Sequence, residues 1–237
     1  LDLKTASAKA NLTLALLQYK GYDYKDIALN AAIKDGVLDG ILESGNRELD
    51  VDVKFRFATN DAGYKAKVEG DVRNVDLYGL HFMQEEMAFS LGLDLEGELN
   101  ADSTSALNAD FSNIVLKDIG TRQLGDLNIS FTGGHNRVHL DVDAGDLSVK
   151  FDGTGNGYQL AEQFAKAGVF VSEQLAKRDF NMEQLGEVLP DFRLTIDAAQ
   201  KNILNSYLKN NGMRFKRIGV DLGTNASERF KMNAGVF

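Results

Sequence analysis

A strict alternation of apolar and charged residues is the feature that most constrains this chain. It lies in the segment ELDVDVKFRF, which occupies positions 48–57. Side chains of a β-strand point alternately to its two faces, so this period predicts a strand with one apolar and one charged face. A second sheet, a layer of helices or an apolar ligand could each cover the apolar face. The apolar positions are Leu49, Val51, Val53, Phe55 and Phe57.

Similar alternation recurs in short segments up to Asp152, separated by Gly, Asn and Asp. Short alternating segments joined by turn residues predict an antiparallel meander. Proline occurs once in 237 residues, at Pro190. Because proline cannot donate to a sheet ladder, its scarcity permits long, continuous strands. The other apolar strand positions that are candidates for the same surface are Leu91, Leu93, Leu127, Ile129, Phe131, Leu140, Val142, Val149 and Phe151.

The period changes at the glycine-rich segment GTGNG. Beyond it, apolar residues recur at helical spacing over residues 160–175, which predicts a helix with Asn156 as its N-cap. A short second helix, capped by Asn181 or Asp179, is predicted to end before Pro190, because proline disfavours helical backbone at the preceding residue.

The C-terminal part returns to alternation. It predicts a strand over 192–197, a helix from residue 198 that ends at Gly212, and closing strands beyond it. The whole chain is therefore predicted to be mainly β with some α, and its helices lie in the C-terminal third. The predicted segments are an antiparallel sheet at 1–152, a helical insert at 153–188 and a strand–helix–strand unit at 189–237 that continues the sheet.

Composition excludes several classes of function. The net charge of −9 repels phosphate backbones, so nucleic acid is not an expected partner. The absence of cysteine excludes disulfides, thiolate metal sites and cysteine nucleophiles. No apolar run is long enough to span a bilayer. Because the sequence begins at Leu1 rather than methionine, we expect it to be part of a longer chain whose signal or anchor lies upstream.

Three segments suggest a ligand site at first sight. DVDAGD lacks the spacing of a calcium loop and predicts a hairpin turn. GTGNG lacks both the dinucleotide fingerprint and a phosphate-loop lysine, so it predicts a flexible connector. His135 and His139 share a strand face with Asp141, which makes a metal site conceivable, although a solvated polar face is far more common. No catalytic motif occurs, so we predict neither an enzyme nor a bound metal or cofactor.

Two stretches carry a resemblance to a known family. From Leu189 to Val236, LPD follows a short helix and precedes a strand F-x-L-x-I, a helix start A-x-x-N-x-L, an aromatic-Lys-x-Ile strand and a closing strand. From Gln18 to Gly40, the unit Y-x-[FY]-[KR]-[DN]-[IL] is followed by alternation and an acidic-glycine turn. These patterns resemble the AsmA-like family of Gram-negative envelope proteins, and its TamB branch in particular.

The resemblance implies an elongated sheet curled along its length into a trough, the β-taco, with an apolar inner face. It also implies a non-enzymatic periplasmic protein, anchored to the inner membrane by a segment outside this sequence, that serves phospholipid transport or outer-membrane assembly. Lipid acyl chains and envelope assembly proteins are then the expected partners, and the apolar candidates above would line the groove. A structural or surface β-sandwich with a closed core remains the alternative that alternation equally allows.

Overall fold

The structure of the protein is a computed structural model. It describes residues 7–14, 16–19, 21–118, 120–178, 181–202, 205, 208–209, 213, 215–224 and 231–236. The strands are β1 (Ser7–Leu14), β2 (Leu17–Tyr19), β3 (Tyr22–Tyr24), β4 (Ile27–Lys34), β5 (Val37–Gly45), β6 (Leu49–Asn60), β7 (Gly63–Asp76), β8 (Ala88–Asn100), β9 (Ser105–Lys117), β10 (Thr121–Gly133), β11 (Arg137–Ala144), β12 (Leu147–Thr154), β13 (Phe192–Ala198), β14 (Ile218–Thr224) and β15 (Lys231–Val236). The helices are α1 (Gly157–Lys177) and α2 (Met182–Val188).

The strands pair in chain order. Thirteen of them form one open sheet, from β1 and β4 through to β15, while β2 and β3 form a separate hairpin inserted between the first two. Neighbouring strands run antiparallel, as in the β5–β6 and β12–β13 pairs. The predicted fold class, a mainly β antiparallel meander with helices in the C-terminal third, is confirmed.

Contacts between Cα atoms divide the chain into two compact units. Unit 1 comprises Leu1–Asp102 and Leu107–Asn128, and unit 2 comprises Ser103–Ala106 and Ile129–Phe237. Both helices lie in unit 2, within the segment predicted as a helical insert, and β13 to β15 continue the sheet after it.

In unit 1, tight turns set the strand register. Asp35 and Gly36 connect β4 to β5 with positive φ angles of 50° and 78°. Two consecutive positive φ angles characterise the type I′ turn, whose twist matches that of paired strands. Lys34 therefore pairs with Val37, and each residue further along β4 has a partner on β5.

In unit 2, both helices begin at asparagine caps. The Asn156 side chain accepts a hydrogen bond from the Gln159 backbone N–H at 2.9 Å, and the Asn181 side chain accepts from the backbone N–H of Glu183 at 3.0 Å. These bonds satisfy N–H groups that lack a partner within the first turn. The capping roles predicted for Asn156 and Asn181 are confirmed, while the alternative cap Asp179 lies outside the described residues.

The helix predicted from residue 198 to Gly212 is described only in part. Ala198 belongs to β13 and is buried, so the helix does not begin there. Residues 205 and 208–209 are helical. Residues 199–202 are described and are not helical, so the predicted start of the helix is wrong. Gly212 and residues 203–204, 206–207 and 210–211 lie outside the described residues.

Candidate functional site

The apolar residues of unit 1 form one continuous surface. Cα pairing joins Val53 of β6 to Leu42 of β5 on one side and to Gly70 of β7 on the other. The row continues from Gly70 to Leu93 of β8. We call this surface the apolar face of unit 1. Its members are Ala8, Ala10, Leu12, Leu14, Ile27, Leu29, Ala31, Ile33, Leu38, Gly40, Leu42, Ser44, Leu49, Val51, Val53, Phe55, Phe57, Thr59, Tyr64, Ala66, Val68, Gly70, Val72, Val75, Phe89, Leu91, Leu93, Leu95, Gly97 and Leu99.

None of these members is charged. The charged side chains of the same strands lie on the opposite face, where they form exposed ion pairs such as Arg56–Asp39 at 3.1 Å and Lys65–Glu98 at 3.2 Å. All the charge of these strands therefore lies on one of the two faces, as the alternation predicts. A ligand bound to the apolar face would contact mainly hydrocarbon side chains and very few hydrogen-bonding groups of the protein.

On the central strands β6 to β8, the most buried members of this face lie towards one end and the most exposed members towards the other. At one end, Val51 and Val72 are only 6% and 9% exposed. The middle of the face, around Val53 and Phe55, is half-buried. At the other end, Phe57, Leu99 and Tyr64 are 44%, 49% and 64% exposed. On the edge strand β1, Leu12 is 58% exposed although it lies in the row of Val53. We refer to the end at Ser44, Val51 and Val72 as the closed end, and to the end at Phe57, Tyr64 and Leu99 as the open end.

The β2–β3 hairpin and the loop that follows β7 lie at the closed end. The Tyr22 hydroxyl donates to Glu48 Oε2 at 2.9 Å, next to the start of β6. Burial, and then this bond to the Glu48 carboxylate, raise the pKa of Tyr22 to about 12. In the loop, Leu80 is almost completely buried and its backbone N–H donates to the Asp76 carbonyl.

Two neighbouring aromatic rings lie on the face, that of Phe55 in its middle and that of Phe57 at its open end. The ring of Phe55 lies over Gly40 on the neighbouring strand, so closely that a Cβ atom at Gly40 would stand 2.2 Å from Phe55 Cζ. The rings of Phe55 and Phe57 are tilted against each other with centroids 5.8 Å apart. Gly40 thus provides the space in which Phe55 lies flat against the sheet.

Unit 2 has an apolar face of its own, but α1 contacts it. Phe164 of α1 packs against Phe151 and Phe192, with ring centroids 5.9 and 5.1 Å away. Leu160 of the same helix is buried against Gly153. Helix α1 therefore covers part of the apolar face of unit 2.

The structure assigns the predicted groove residues to both units. Leu49, Val51, Val53, Phe55, Phe57, Leu91 and Leu93 lie on the apolar face of unit 1, where the register brings them together. In unit 2, Leu140, Val142, Val149 and Phe151 share one face of β11 and β12. Leu127, Ile129 and Phe131 lie half-buried on β10. That these residues line a lipid groove stays a prediction.

Sequence reasoning left Leu38 and Leu42 out of this surface. Their segment, VLDGILESG, alternates less regularly than β6. The Asp-Gly turn before it is the signal that could have found them, since a two-residue turn fixes which residues of the flanking strands pair. That register places Leu38 opposite Ile33 and Leu42 opposite Leu29.

The histidines predicted to share a strand face do not do so. His135 lies in the turn before β11, whereas His139 lies on the polar face of that strand. The two ring nitrogens of His139 contact Asp152 at 3.0 Å and Asp141 at 2.8 Å. Among the described residues there is no group of three or more His, Asp or Glu side chains arranged to hold a metal ion.

We expect His139 to make stability depend on pH. The carboxylate of Asp141, followed by that of Asp152, holds the pKa of His139 above its ordinary value. A raised folded-state pKa adds stability that is present below the unfolded value of about 6.5 and is lost as pH rises through the folded value. Unfolding in urea at about pH 6 and about pH 8.5 should show the loss, of under about 1 kcal/mol because solvent screens these charges.

His139→Gln should remove this pH dependence, and His135→Gln is the matched control that should keep it. Arg137 and Lys150 also contact the two carboxylates, at 2.6 and 3.4 Å, and both are present in either variant. An equal decline with pH in both variants would contradict the assignment.

The turn segment DVDAGD anchors a loop. Gly145 connects β11 and β12 with a φ angle of 65°. The Asp146 carboxylate accepts hydrogen bonds from the Lys201 backbone N–H at 2.7 Å and from the Asn202 side chain at 2.5 Å. Burial opposes ionisation of Asp146, but these bonds outweigh it and lower its pKa. The segment forms the predicted hairpin turn. Its third aspartate, Asp146, holds residues 201–202 in place through these hydrogen bonds.

The polar face of unit 2 contains a depression of about 560 Å³. Its arginines are paired with carboxylates. Arg193 donates to both oxygens of Asp221 at 3.2 and 3.1 Å, and Arg137 contacts Asp152 at 2.6 Å. Because opposite charges alternate across it, this surface presents no strong field to an ionic ligand.

None of the described helices is long and apolar enough to cross a membrane.

Comparison with known proteins gives no match: no family model fits the sequence, and neither a curated protein nor a solved structure is significantly similar to it.

Proposed function

We propose that this chain is a non-enzymatic segment that holds lipid acyl chains on the apolar face of unit 1. By its resemblance to the AsmA-like and TamB proteins, it would act in the periplasm in phospholipid transport or outer-membrane assembly. It would be anchored to the inner membrane by a segment outside this sequence and would work with other envelope assembly proteins.

The uncharged, partly uncovered face of unit 1 is the observation that carries this proposal. Exposed apolar side chains that stand singly are ordinary, whereas a contiguous patch indicates a partner. Phe57, Tyr64 and Leu99 are exposed at the end of a face without any charged member. A hydrocarbon chain suits such a face because each buried methylene contributes about 0.8 kcal/mol and brings no polar group that needs a partner.

Burial across the described residues favours this proposal over the closed β-sandwich. In a sandwich, the inner faces of two sheets interdigitate and enclose large side chains completely. No large side chain among the described residues is less than 2% exposed. On β6, Val53 and Phe55 are only half-buried in the middle of the strand, where a closed core would be most complete.

Replacing Phe55 with Asp should remove bound lipid and leave the protein folded. The ring lies in the middle of the face, so a carboxylate there would meet any acyl chain. Because Phe55 is half-buried, water can reach the new charge, and we expect a loss of about 1–3 kcal/mol in unfolding free energy. The measurements are urea unfolding and mass spectrometry of lipid extracted from the purified protein.

Arg56→Glu is the matched control, since Arg56 is the next residue along and lies on the charged face. Its exposed pair with Asp39 is worth at most about 1 kcal/mol, so stability and bound lipid should both persist. Complete unfolding of Phe55→Asp alone would favour a closed core. The absence of lipid from the unmodified protein, after reconstitution with phospholipid, would count against the proposed function.

A further inference from the structure

We infer that unit 1 binds its lipid in one direction, with the hydrocarbon tail towards the closed end and the polar head group at the open end. This inference rests on the proposed function. It is carried by the burial gradient along the apolar face and by the different polar groups at its two ends.

The closed end suits the tail. Val51 and Val72 are covered there by the protein itself, and the neighbouring Leu91 and Phe89 are half-buried. A hydrocarbon tail that contacts Leu91 and Phe89 would therefore meet little water. The one polar member of the face at this end is Ser44. Its hydroxyl donates to the Leu49 carbonyl at 2.7 Å and accepts from the Asn46 side chain at 2.9 Å. The Ser44 hydroxyl therefore already has its hydrogen-bond partners within the protein. A lipid head group placed at this end would be buried without hydrogen-bond partners.

The open end suits the head group. Polar turns border it, including Asn60–Gly63, where the Asn60 side chain accepts from the Ala62 backbone N–H at 2.8 Å. The exposed Tyr64 stands beside this turn. A tyrosine offers an apolar ring and a polar hydroxyl, the combination favoured where hydrocarbon meets water.

The apolar face is longer than one acyl chain, so the two ends of a bound acyl chain can be located separately. Phe89 lies at the closed end of β8, next to Val75, and Gly97 of the same strand lies in the row of Phe57. Eight residues of strand separate Phe89 from Gly97, or about 26 Å. An acyl chain extends for about half the thickness of a bilayer core, or about 15 Å, so its ends lie at distinct positions on this face.

The natural absence of tryptophan makes a direct test possible. Phe57→Trp places the only tryptophan at the open end, and Phe89→Trp places it at the closed end. Each protein is loaded with phosphatidylcholine that carries a nitroxide either near the head group or near the terminal methyl of one acyl chain. Nitroxides quench fluorescence only at short range, so the loss of fluorescence reports which part of the chain is adjacent. The control is Ile41→Trp, on the charged face of β5.

We expect the head-proximal nitroxide to quench Phe57→Trp more strongly, and the methyl-proximal nitroxide to quench Phe89→Trp more strongly, with no quenching of Ile41→Trp. The reverse pattern, or equal quenching of each tryptophan by both lipids, would overturn the direction of binding and leave the proposed function standing. A lack of quenching in every folded variant, with no lipid bound, would overturn both. Quenching of Ile41→Trp equal to that of the others would show lipid that is not confined to the apolar face.

Discussion

Replacing Gly70 with alanine is expected to lower the unfolding free energy by at least about 3 kcal/mol, because a side chain there collides with the neighbouring strand. Gly70 lies in the middle of β7, paired with Val53 on one side and Leu93 on the other. Its φ angle is 157°, and a Cβ atom would stand 2.1 Å from the carbonyl oxygen of Asp52. That oxygen belongs to a paired backbone, so it cannot move without loss of ladder hydrogen bonds.

Gly45→Ala is the control for this experiment. Gly45 ends β5 in the same unit, and a Cβ atom there would have no neighbour within 4 Å. Alanine at such a site restricts the unfolded chain, so stability should be unchanged or rise by less than about 1 kcal/mol. Urea unfolding followed by circular dichroism measures both variants. A small, equal effect of the two substitutions would show that β6 and β7 are not held together at Gly70 as described.

Phe164→Ala is expected to cost about 2–4 kcal/mol and to release α1 from the sheet of unit 2. Large-to-small substitutions of buried aromatic residues cost about 3–5 kcal/mol. Phe164 is only half-buried, so we expect a loss about 1 kcal/mol smaller than that. Its ring contacts those of both Phe151 and Phe192, so truncation removes both of these aromatic contacts at once. The measurements are urea unfolding and helical content by circular dichroism.

Val169→Ala on the same helix provides the comparison. Val169 is 62% exposed, and alanine has the higher helix propensity, so stability should stay within about 0.5 kcal/mol. If the two variants were equally stable, the aromatic cluster would not be what holds α1 in place. The two compact units can unfold in separate transitions, so the change should be assigned to the transition in which helical signal is lost.

Local pattern determined most of the secondary structure of this protein. Alternation at Leu49–Phe57 fixes which side chains share a face, because successive residues of a strand must point in opposite directions. The change of period after GTGNG and the caps Asn156 and Asn181 locate α1 and α2 for equally local reasons. The strand register could also be predicted from the sequence where a two-residue turn such as Asp35–Gly36 allows only one pairing of the flanking strands.

Non-local contacts decided the rest. The alternating residues of β6 and β12 look alike in the sequence, yet Phe151 on β12 packs against α1 whereas Phe57 on β6 remains exposed. The contact of His139 Nδ1 with Asp152 and the anchoring role of Asp146 likewise depend on residues distant in sequence. A side chain's direction follows from its own backbone, so sequence period reports it. The cover over a face comes from chain segments elsewhere in the fold, and their placement is settled only when the whole tertiary structure forms.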